Sequence, residues 1–481
     1  YDIDGLTATT VLIDALASFG FKNVSAFIPN RFVEGYGLTV DAIERIAADG
    51  AQLIITVDCG SLSHEPITRA KELGVDVIVT DHHNVSEVQP PAVAVINPKR
   101  PDHTYPFIDL AGVGVAFKLV QALQTKLDGL PAGQEKWLLD LVALGTVCDV
   151  VTLVDENRAN VFWGLKVLSK TKRPGLKALM AVSRVEPSKV NARSLGFGLG
   201  PRMNATGRLE TAQIALDMLT ATDTMQALEK AQELDALNSA RRTEQDKIYK
   251  EAVKQAELYK DDDVLVVSSP DWNHGIIGIV AAKLLEKFKK PTFVLQEMGD
   301  ESKGSARSYG DFSAADAIKS VSGIITKGGG HKLAAGVTLP TKNIQAFREG
   351  VNKYYRDKKL KNQADLLLPI EDAQAEFTHV TEELVKLLES LEPFGNGNTQ
   401  PILRTNGVKV LRVRRMGTEA QHVKLEVIAQ DGTRLELLAF AAPEHFFVEP
   451  GSEMTVWYQP DVNEWQGRQT VEGRLLHIEI T

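Results

Sequence analysis

Seven residues have the types and spacing that metal-assisted chemistry needs: Asp2, Asp4, Asp58, Asp81, His82, His83 and Asp149. Asp2 and Asp4 stand two apart, just before a helix that the pattern Leu6, Leu12, Ile13, Leu16 and Phe19 predicts from about Gly5. Asp58, the Asp81-His82-His83 triplet and Asp149 each follow an apolar run. Carboxylates and imidazoles converging on one point, with no set of thiol ligands, suit a hard or borderline divalent cation such as Mn²⁺ or Mg²⁺. Four aspartates plus a histidine exceed the needs of one ion. Two ions about 3.5 to 4 Å apart, bridged by a shared carboxylate, would clamp a phosphodiester, activate a water and stabilise the leaving oxygen. Asp2 and Asp4, taken singly, are equally readable as helix caps. The contiguous Asp81-His82-His83 after an aliphatic run is harder to read as structure alone. Cys59 and Cys148, each beside an aspartate, read as small buried residues in a reducing compartment, with no disulfide between them.

The elements that must bring these residues together alternate between helical and strand patterns from Gly5 to about Gly207. The runs QLIITV (52–57) and VDVIV (75–79) are short and rich in β-branched residues, which predicts buried parallel strands. In open α/β sheets ligands bind beyond the carboxyl ends of the strands, where Asp58, Asp81 and Asn97 stand. Residues 208–269 contain neither Gly nor Pro, and a helix capped by Asp223 or Thr224 is expected from about Met225 to Lys260. Such a helix would be roughly 50 Å long. Its run RRTEQDK (241–247) is polar all round, as a solvated connector between domains would be. A second α/β unit follows, with strands VLVVS (264–268) and TFVLQ (292–296), helices at 276–288 and near 314–321, and the glycine-rich GGGHKLAAG at 328–336. From about Ile402 short strands and turns predict an all-β tail that suits a small oligonucleotide-binding barrel.

A chain of 481 residues has room for two to four domains with full cores. Apolar residues at 43% and charged residues at 24% exclude global disorder. The net charge of −9 repels polyanions, so a nucleic-acid partner would need a local basic groove or bound cations. No apolar stretch approaches the ~18 residues of a membrane span, and no secretory signal pattern is present, so a cytoplasmic protein with no membrane partner is expected. Because the first acidic motif begins at Tyr1, further residues upstream of it are expected in the native protein.

YDIDG (1–5), ITVDCG (55–60), TDHHN (80–84) and LGTVCDVV (144–151) resemble successive motifs of the DHH phosphoesterase superfamily. SPDWNHGIIGIVAAKL (269–284), GSARSYG (304–310) and GGGHKLAAG (328–336) resemble its DHHA1 domain. Together with IPNRFVEGYG (28–37), GPRMNATGR (200–208), LEPFGNGN (391–398) and the β-rich tail, nearly the whole chain is similar to the bacterial RecJ family of 5′-to-3′ exonucleases specific for single-stranded DNA. The fold this implies is α/β: a DHH parallel-sheet domain over 1–207, a long-helix connecting region over 208–260, a DHHA1 α/β domain over 261–365, and a linker with a C-terminal all-β OB-like barrel over 366–481.

The resemblance also assigns roles. Asp2 and Asp58 would bind one Mn²⁺, and Asp4, Asp58, His82 and Asp149 a second, with Asp58 bridging and Mg²⁺ as a substitute. An acid or histidine upstream of Tyr1 would complete the first shell. His83 would approach the scissile phosphate, with Asp81 orienting its neighbours. Arg31, Ser305 and Arg307 would hold the 5′-terminal phosphate, for which a guanidinium offers bidentate hydrogen bonds. Tyr36 would stack on an unpaired base. Arg202, Asn204, His274, Gly329, Gly330 and His331 would contact DNA, although the glycines around Arg202 would equally suit a tight turn. Apart from the resemblance, the tail has its clearest basic cluster at Arg412, Arg414 and Arg415, with Lys424 on the same sheet; β-alternation puts Arg412 and Arg414 on one face, where they would track DNA phosphates, and Arg415 on the other. Expected partners are single-stranded DNA, a helicase and a single-strand-binding protein, acting with a monomer. Two other readings have discriminating features. A small phosphodiesterase for short oligoribonucleotides or cyclic dinucleotides would lack the 145 residues from 337 to 481, and a non-catalytic scaffold would have lost the acidic cluster.

Overall fold

The structure is a computed structural model and describes residues 1–29, 34, 37–209, 211–465 and 467–480. The chain divides into two compact units, Tyr1–Thr243 with Pro393–Thr399, and Glu244–Glu392 with Gln400–Thr481.

In the first unit β1 (Leu53–Val57), β2 (Asp76–Thr80) and β3 (Ala94–Ile96) form a parallel sheet in the order β1-β2-β3. The strands are parallel as expected but not uniformly buried. Among the described residues β1 lies at a sheet edge, and Leu53 is 48% exposed. The Ile3–Ser18 helix buries Ile3, Leu6, Val11, Leu12 and Ala15, and packs against the Gly112–Gln124 and Leu139–Cys148 helices. The last of these is buried on nearly every side, as the apolar residues of LDLVALGTVC require, with Leu141, Val142, Ala143 and Leu144 fully buried and Asp140 paired with Arg173. GPRMNATGR is not a glycine turn: Gly200–Leu209 is helical and follows a π-helical turn over Ser194–Leu199. Gly200 serves close packing instead, since an added Cβ would stand 2.7 Å from the Cys148 sulfur.

The long helix runs over Thr224–Leu258, 35 residues, and is capped by Asp223, whose Oδ1 accepts from the Gln226 N–H at 2.9 Å. Ala227, Ala231 and Leu234 join the first unit's core, and the division between units falls inside the helix, after Thr243. The polar stretch at 241–247 is not entirely solvated, because Gln245 is buried. Beyond it Ile248, Ala252 and Ala256 are buried, and the Gln255 amide pairs with both backbone groups of Ser268.

In the second unit β4 (Leu265–Ser269), β5 (Thr292–Met298), β6 (Glu301–Arg307), β7 (Lys327–Gly330) and β8 (Ala334–Pro340) form a mixed sheet in the order β4-β5-β6-β8-β7. The Ile277–Phe288 helix packs on β5 and β6. β9 (Ala373–Gln374) leads toward β10 (Leu403–Met416), β11 (His422–Ile428), β12 (Arg434–Ala439), β13 (Glu453–Trp465) and β14 (Arg468–Ile480). The last five close into a ring, β10-β11-β12-β14-β13 and back to β10, in which only the β12–β14 pairing is parallel among the described residues. Alternation in HVKLEVI puts Val423, Leu425 and Val427 inside, with Leu437, Val456 and Tyr458. No described helix is long and apolar enough to cross a membrane.

Candidate active site

All seven acidic and imidazole residues of interest lie in the first unit. The sheet and two helices bring them to one place. Asp2 is the N-cap of the Ile3–Ser18 helix, its Oδ1 accepting from the Gly5 N–H at 3.2 Å. The cap reading therefore holds for Asp2, and its second oxygen remains available. Asp4, two residues on in the first turn of the helix, is buried. Its two oxygens accept from the Gly112 and Val113 N–H groups at 2.6 and 2.7 Å, at the N-terminus of the Gly112–Gln124 helix. An N-terminal helix turn favours a carboxylate there.

Asp58 leaves β1 in the left-handed region, with φ 58. The turn is kept by the Thr56 hydroxyl, which donates to the Cys59 carbonyl at 2.7 Å, and by Gly60, where an added Cβ would stand 2.8 Å from Thr56 Oγ1. A strained non-glycine residue held by its surroundings is a common mark of a functional site. Gly112 makes room for it: an added Cβ would lie 2.8 Å from Asp58 Cβ and 2.9 Å from Asp4 Oδ2.

Beyond β2, Asp81 turns inward and is fully used. Its Oδ1 accepts from the His82 N–H, the His83 N–H and His83 Nδ1 at 2.8, 3.1 and 2.8 Å, and its Oδ2 from the Ser61 N–H at 3.0 Å. Burial would raise this carboxyl, but the hydrogen bonds from His83 and Ser61 outweigh it and hold Asp81 well below the usual range. The same contact, led by the Asp81 hydrogen bond, raises His83. Asp81 is thus an orienting group, and it leaves His83 Nε2 as that ring's second nitrogen.

His82 is buried with Nε2 3.1 Å from Asp58 Oδ1 and 3.7 Å from both Asp4 Oδ2 and Asp149 Oδ2. Two sets of potential ligand atoms share it: Asp4, His82 and Asp149, and Asp58, His82 and His83, the atoms of each set lying within 4.8 Å of one another. Burial, followed by neighbouring carboxylates, raises Asp58 well above its usual range and pushes Asp149 up to about 7. Burial raises Asp4 as well, against the lowering pull of His82. Asp58 Oδ1 and His82 Nε2 are buried without a hydrogen-bond partner. Crowded carboxylates and orphaned buried acceptors are what a divalent cation would neutralise, so these residues fit Mn²⁺ or Mg²⁺. Burial and the adjoining aspartates push the Cys59 thiol up to about 12 and raise Cys148 too, so neither offers a thiolate. Both cysteines are free and partly rather than fully buried.

A cavity of about 230 Å³ opens beside the acids and is lined by Asp2, Asp4, Asp149, Asn204 and Arg208 among others. Asn204 therefore reaches the site. Arg202 donates to Asp235 Oδ1 and to the Gly198 carbonyl, both at 2.7 Å. Sequence reasoning missed Arg208, Ser61 and the amides of Gly112 and Val113. The last had a signal in GVGV, a glycine pair opening a helix.

In the second unit Ser305 and Arg307 lie on β6 over Gly278 in the first turn of the Ile277–Phe288 helix. An added Cβ at Gly278 would meet Ser305 Oγ at 2.9 Å and the Arg307 guanidinium at 3.2 Å. The Arg307 guanidinium donates to Ser305 Oγ at 3.3 Å and to the Ala306 carbonyl at 2.7 Å, and burial lowers its pKa. His274 pairs through Nδ1 with Gln296 Oε1 at 3.0 Å. Gly329 and Gly330 are on the exposed edge strand β7, and His331 closes the turn to β8 with its N–H on the Ala334 carbonyl at 2.8 Å. Arg412 and Arg414 are exposed on β10, opposite Glu426 and Lys424, while Arg415 lies over the Phe447 ring at 4.2 Å. Lys424 pairs with Glu436 at 2.6 Å. Arg31 and Tyr36 lie outside the described residues.

Three family models match the chain: the DHH family N-terminal domain at residues 1–146, the DHHA1 domain at 261–357 and the RecJ OB domain at 371–477. Single-stranded-DNA-specific exonuclease RecJ of Escherichia coli is 35% identical over 496 residues, covering 98% of this chain and 85% of that protein. The protein of the same name from Bacillus subtilis is 38% identical over 480 residues, covering 98% of this chain and 59% of that one. Among solved structures, RecJ from Thermus thermophilus in complex with Mn²⁺ superposes with a TM-score of 0.84 at 29% identity, covering all of this chain and 68% of that one. An exonuclease RecJ bound to manganese gives 0.65 at 34% identity, covering 75% and 89%. The same Thermus protein has also been solved with Mg²⁺.

Proposed function

The chain belongs to the RecJ family of single-stranded-DNA-specific exonucleases, and we propose that it hydrolyses single-stranded DNA from the 5′ end to 5′-mononucleotides, in DNA repair and recombination. The observation that carries this reading is the buried pair Asp58 Oδ1 and His82 Nε2, 3.1 Å apart and neither hydrogen-bonded, ringed by Asp4, Asp149 and His83.

Asp2 and Asp58 would hold one divalent cation, and Asp4, Asp58, His82 and Asp149 the second. When bound, such cations supply Lewis acidity and charge neutralisation for phosphodiester hydrolysis. The chain's own groups do the rest. Gly112 and Val113 fix the Asp4 carboxylate, so that it does not reorganise as charge develops. Asp81 holds His83 by Nδ1 and favours its protonated form, leaving Nε2 to donate to an oxygen of the scissile phosphate. Asn204 and Arg208, at the cavity wall, would bind the DNA backbone.

The 5′ preference is assigned to Arg307 with Ser305, supported by their place over the first turn of a helix, where N–H groups and a guanidinium favour a terminal phosphate dianion. Arg31 would complete that pocket. Tyr36, Gly329, Gly330, His331 and His274 would guide the strand, and the ring of β-strands with Arg412 and Arg414 would deliver it. A helicase and a single-strand-binding protein would supply the substrate to a cytoplasmic monomer. Converting Asp58 to Asn tests the reading directly: cleavage should fall to background while single-stranded DNA is still bound, and persistent metal-dependent cleavage would sink it.

A further inference from the structure

We propose that Asn396, in the PFGNGN segment far downstream in sequence, is a positioning residue for Asp149. The inference rests on the reading of Asp149 as a cation-holding group.

The Leu139–Cys148 helix ends at Asp149, and the next residue, Val150, is left-handed with φ 64. That conformation is ordinary for glycine at a helix end and unfavourable for a β-branched residue. Val150 is 66% exposed, so packing of its side chain does not hold it. Besides the bond from the Val150 N–H to the Val147 carbonyl at 3.3 Å, the hold comes from outside the helix. The Asn396 side-chain amide donates to the Val150 carbonyl at 2.9 Å, and the Asn396 carbonyl accepts from the Leu153 N–H at 2.6 Å. One residue thus spans the corner that follows Asp149 from both ends.

The surrounding sequence is shaped for this approach. Gly395 and Asn398 exchange backbone hydrogen bonds at 2.8 and 3.2 Å, so residues 395–398 form a tight turn with Asn396 at its tip. Gly397 takes φ 75. At Gly395 a Cβ would stand 2.6 Å from Leu153 Cδ1, and Leu153 is buried. Asn398 Nδ2 ties the turn to the Pro393 carbonyl at 2.9 Å. This accounts for both glycines and both asparagines of a motif that the cleavage chemistry does not use. Pro393–Thr399 belongs to the first compact unit although the residues on either side of it belong to the second.

The test is Mn²⁺ alone as probe, its affinity read from the free-ion electron paramagnetic resonance signal, on the whole chain and on Asn396→Ala, Asn396→Asp, Val150→Gly, Asp149→Asn and the Val150→Gly/Asn396→Ala double variant. Loss of the amide donor should weaken Mn²⁺ binding roughly fivefold to tenfold in both Asn396 variants, as the loss of one hydrogen bond would. Glycine adopts the left-handed corner unaided. In the Val150→Gly background, Asn396→Ala should therefore cost less than about twofold, a rescue that a merely structural role for the turn would not give. Unchanged affinity in Asn396→Ala, or a loss that Val150→Gly does not relieve, would overturn the proposal. Asp149→Asn separates the two readings. If it leaves Mn²⁺ affinity unchanged, the role of Asp149 itself falls; if it weakens binding while Asn396→Ala does not, only the positioning role falls.

Discussion

Asp4, Asp58 and Asp149 surround the buried His82 ring within 3.1 to 3.7 Å, and without a counter-ion their charges oppose folding. The sign of the pH effect follows. Each carboxyl has a folded pKa above its unfolded value, about 7 against 3.8 for Asp149, so between these values the native state binds more protons than the unfolded chain. Stability of the metal-free protein should therefore rise as pH falls from about 8 to about 5, and saturating Mn²⁺ should flatten that slope. Thermal midpoints across this range, with chelator and with Mn²⁺, check it. By the same logic Asp58→Asn should raise the metal-free midpoint by about 2 to 4 °C for each kcal/mol of relieved repulsion while removing activity.

At the scale of elements, the turn after β1 depends on the Gly112–Gln124 helix approaching Asp58 with no side chain at Gly112. Gly112→Ala puts a methyl within 2.9 Å of Asp58 and Asp4, so it should cost about 1 to 3 kcal/mol and weaken Mn²⁺ binding. Denaturant unfolding with a parallel metal titration would read both. Asp223→Ala, which removes the cap of the long helix, should cost about 1 kcal/mol and leave cation affinity alone. Much of this scale was legible in advance. Short β-branched runs announced β1 and β2, short strand patterns announced β10, β11 and β12 of the ring, and an uninterrupted stretch without Gly or Pro announced Thr224–Leu258. Asp2, Asp4, Asp58, His82 and Asp149 could be picked out because carboxylates at element ends are chemically conspicuous. What stayed hidden was carried by backbone groups and by distance along the chain. The Gly112 and Val113 amides that hold Asp4 have no side-chain signature, and the helical form of GPRMNATGR was masked by its glycines. The pairing of Asn396 with Val150 joins residues 246 apart, which no local pattern encodes.

At the scale of the whole molecule, polarity of digestion must come from a group that distinguishes a chain end from its interior. Arg307→Ala should reduce the preference for 5′-phosphorylated over 5′-hydroxyl DNA more than it reduces affinity for an internal strand, because a terminal dianion gains more from a guanidinium than a diester does. An unchanged ratio of cleavage rates would remove Arg307 from that role. The central claim is digestion of single-stranded DNA from the 5′ end, and one time course tests it most directly. Single-stranded DNA labelled separately at each end is incubated with the protein and Mn²⁺, beside the same sequence as blunt duplex. Immediate release of the 5′ label as mononucleotide, with the 3′ label released late and the duplex spared, is the expected result. Early release of the 3′ label, or intact DNA in a reaction that cuts cyclic dinucleotides, would contradict it.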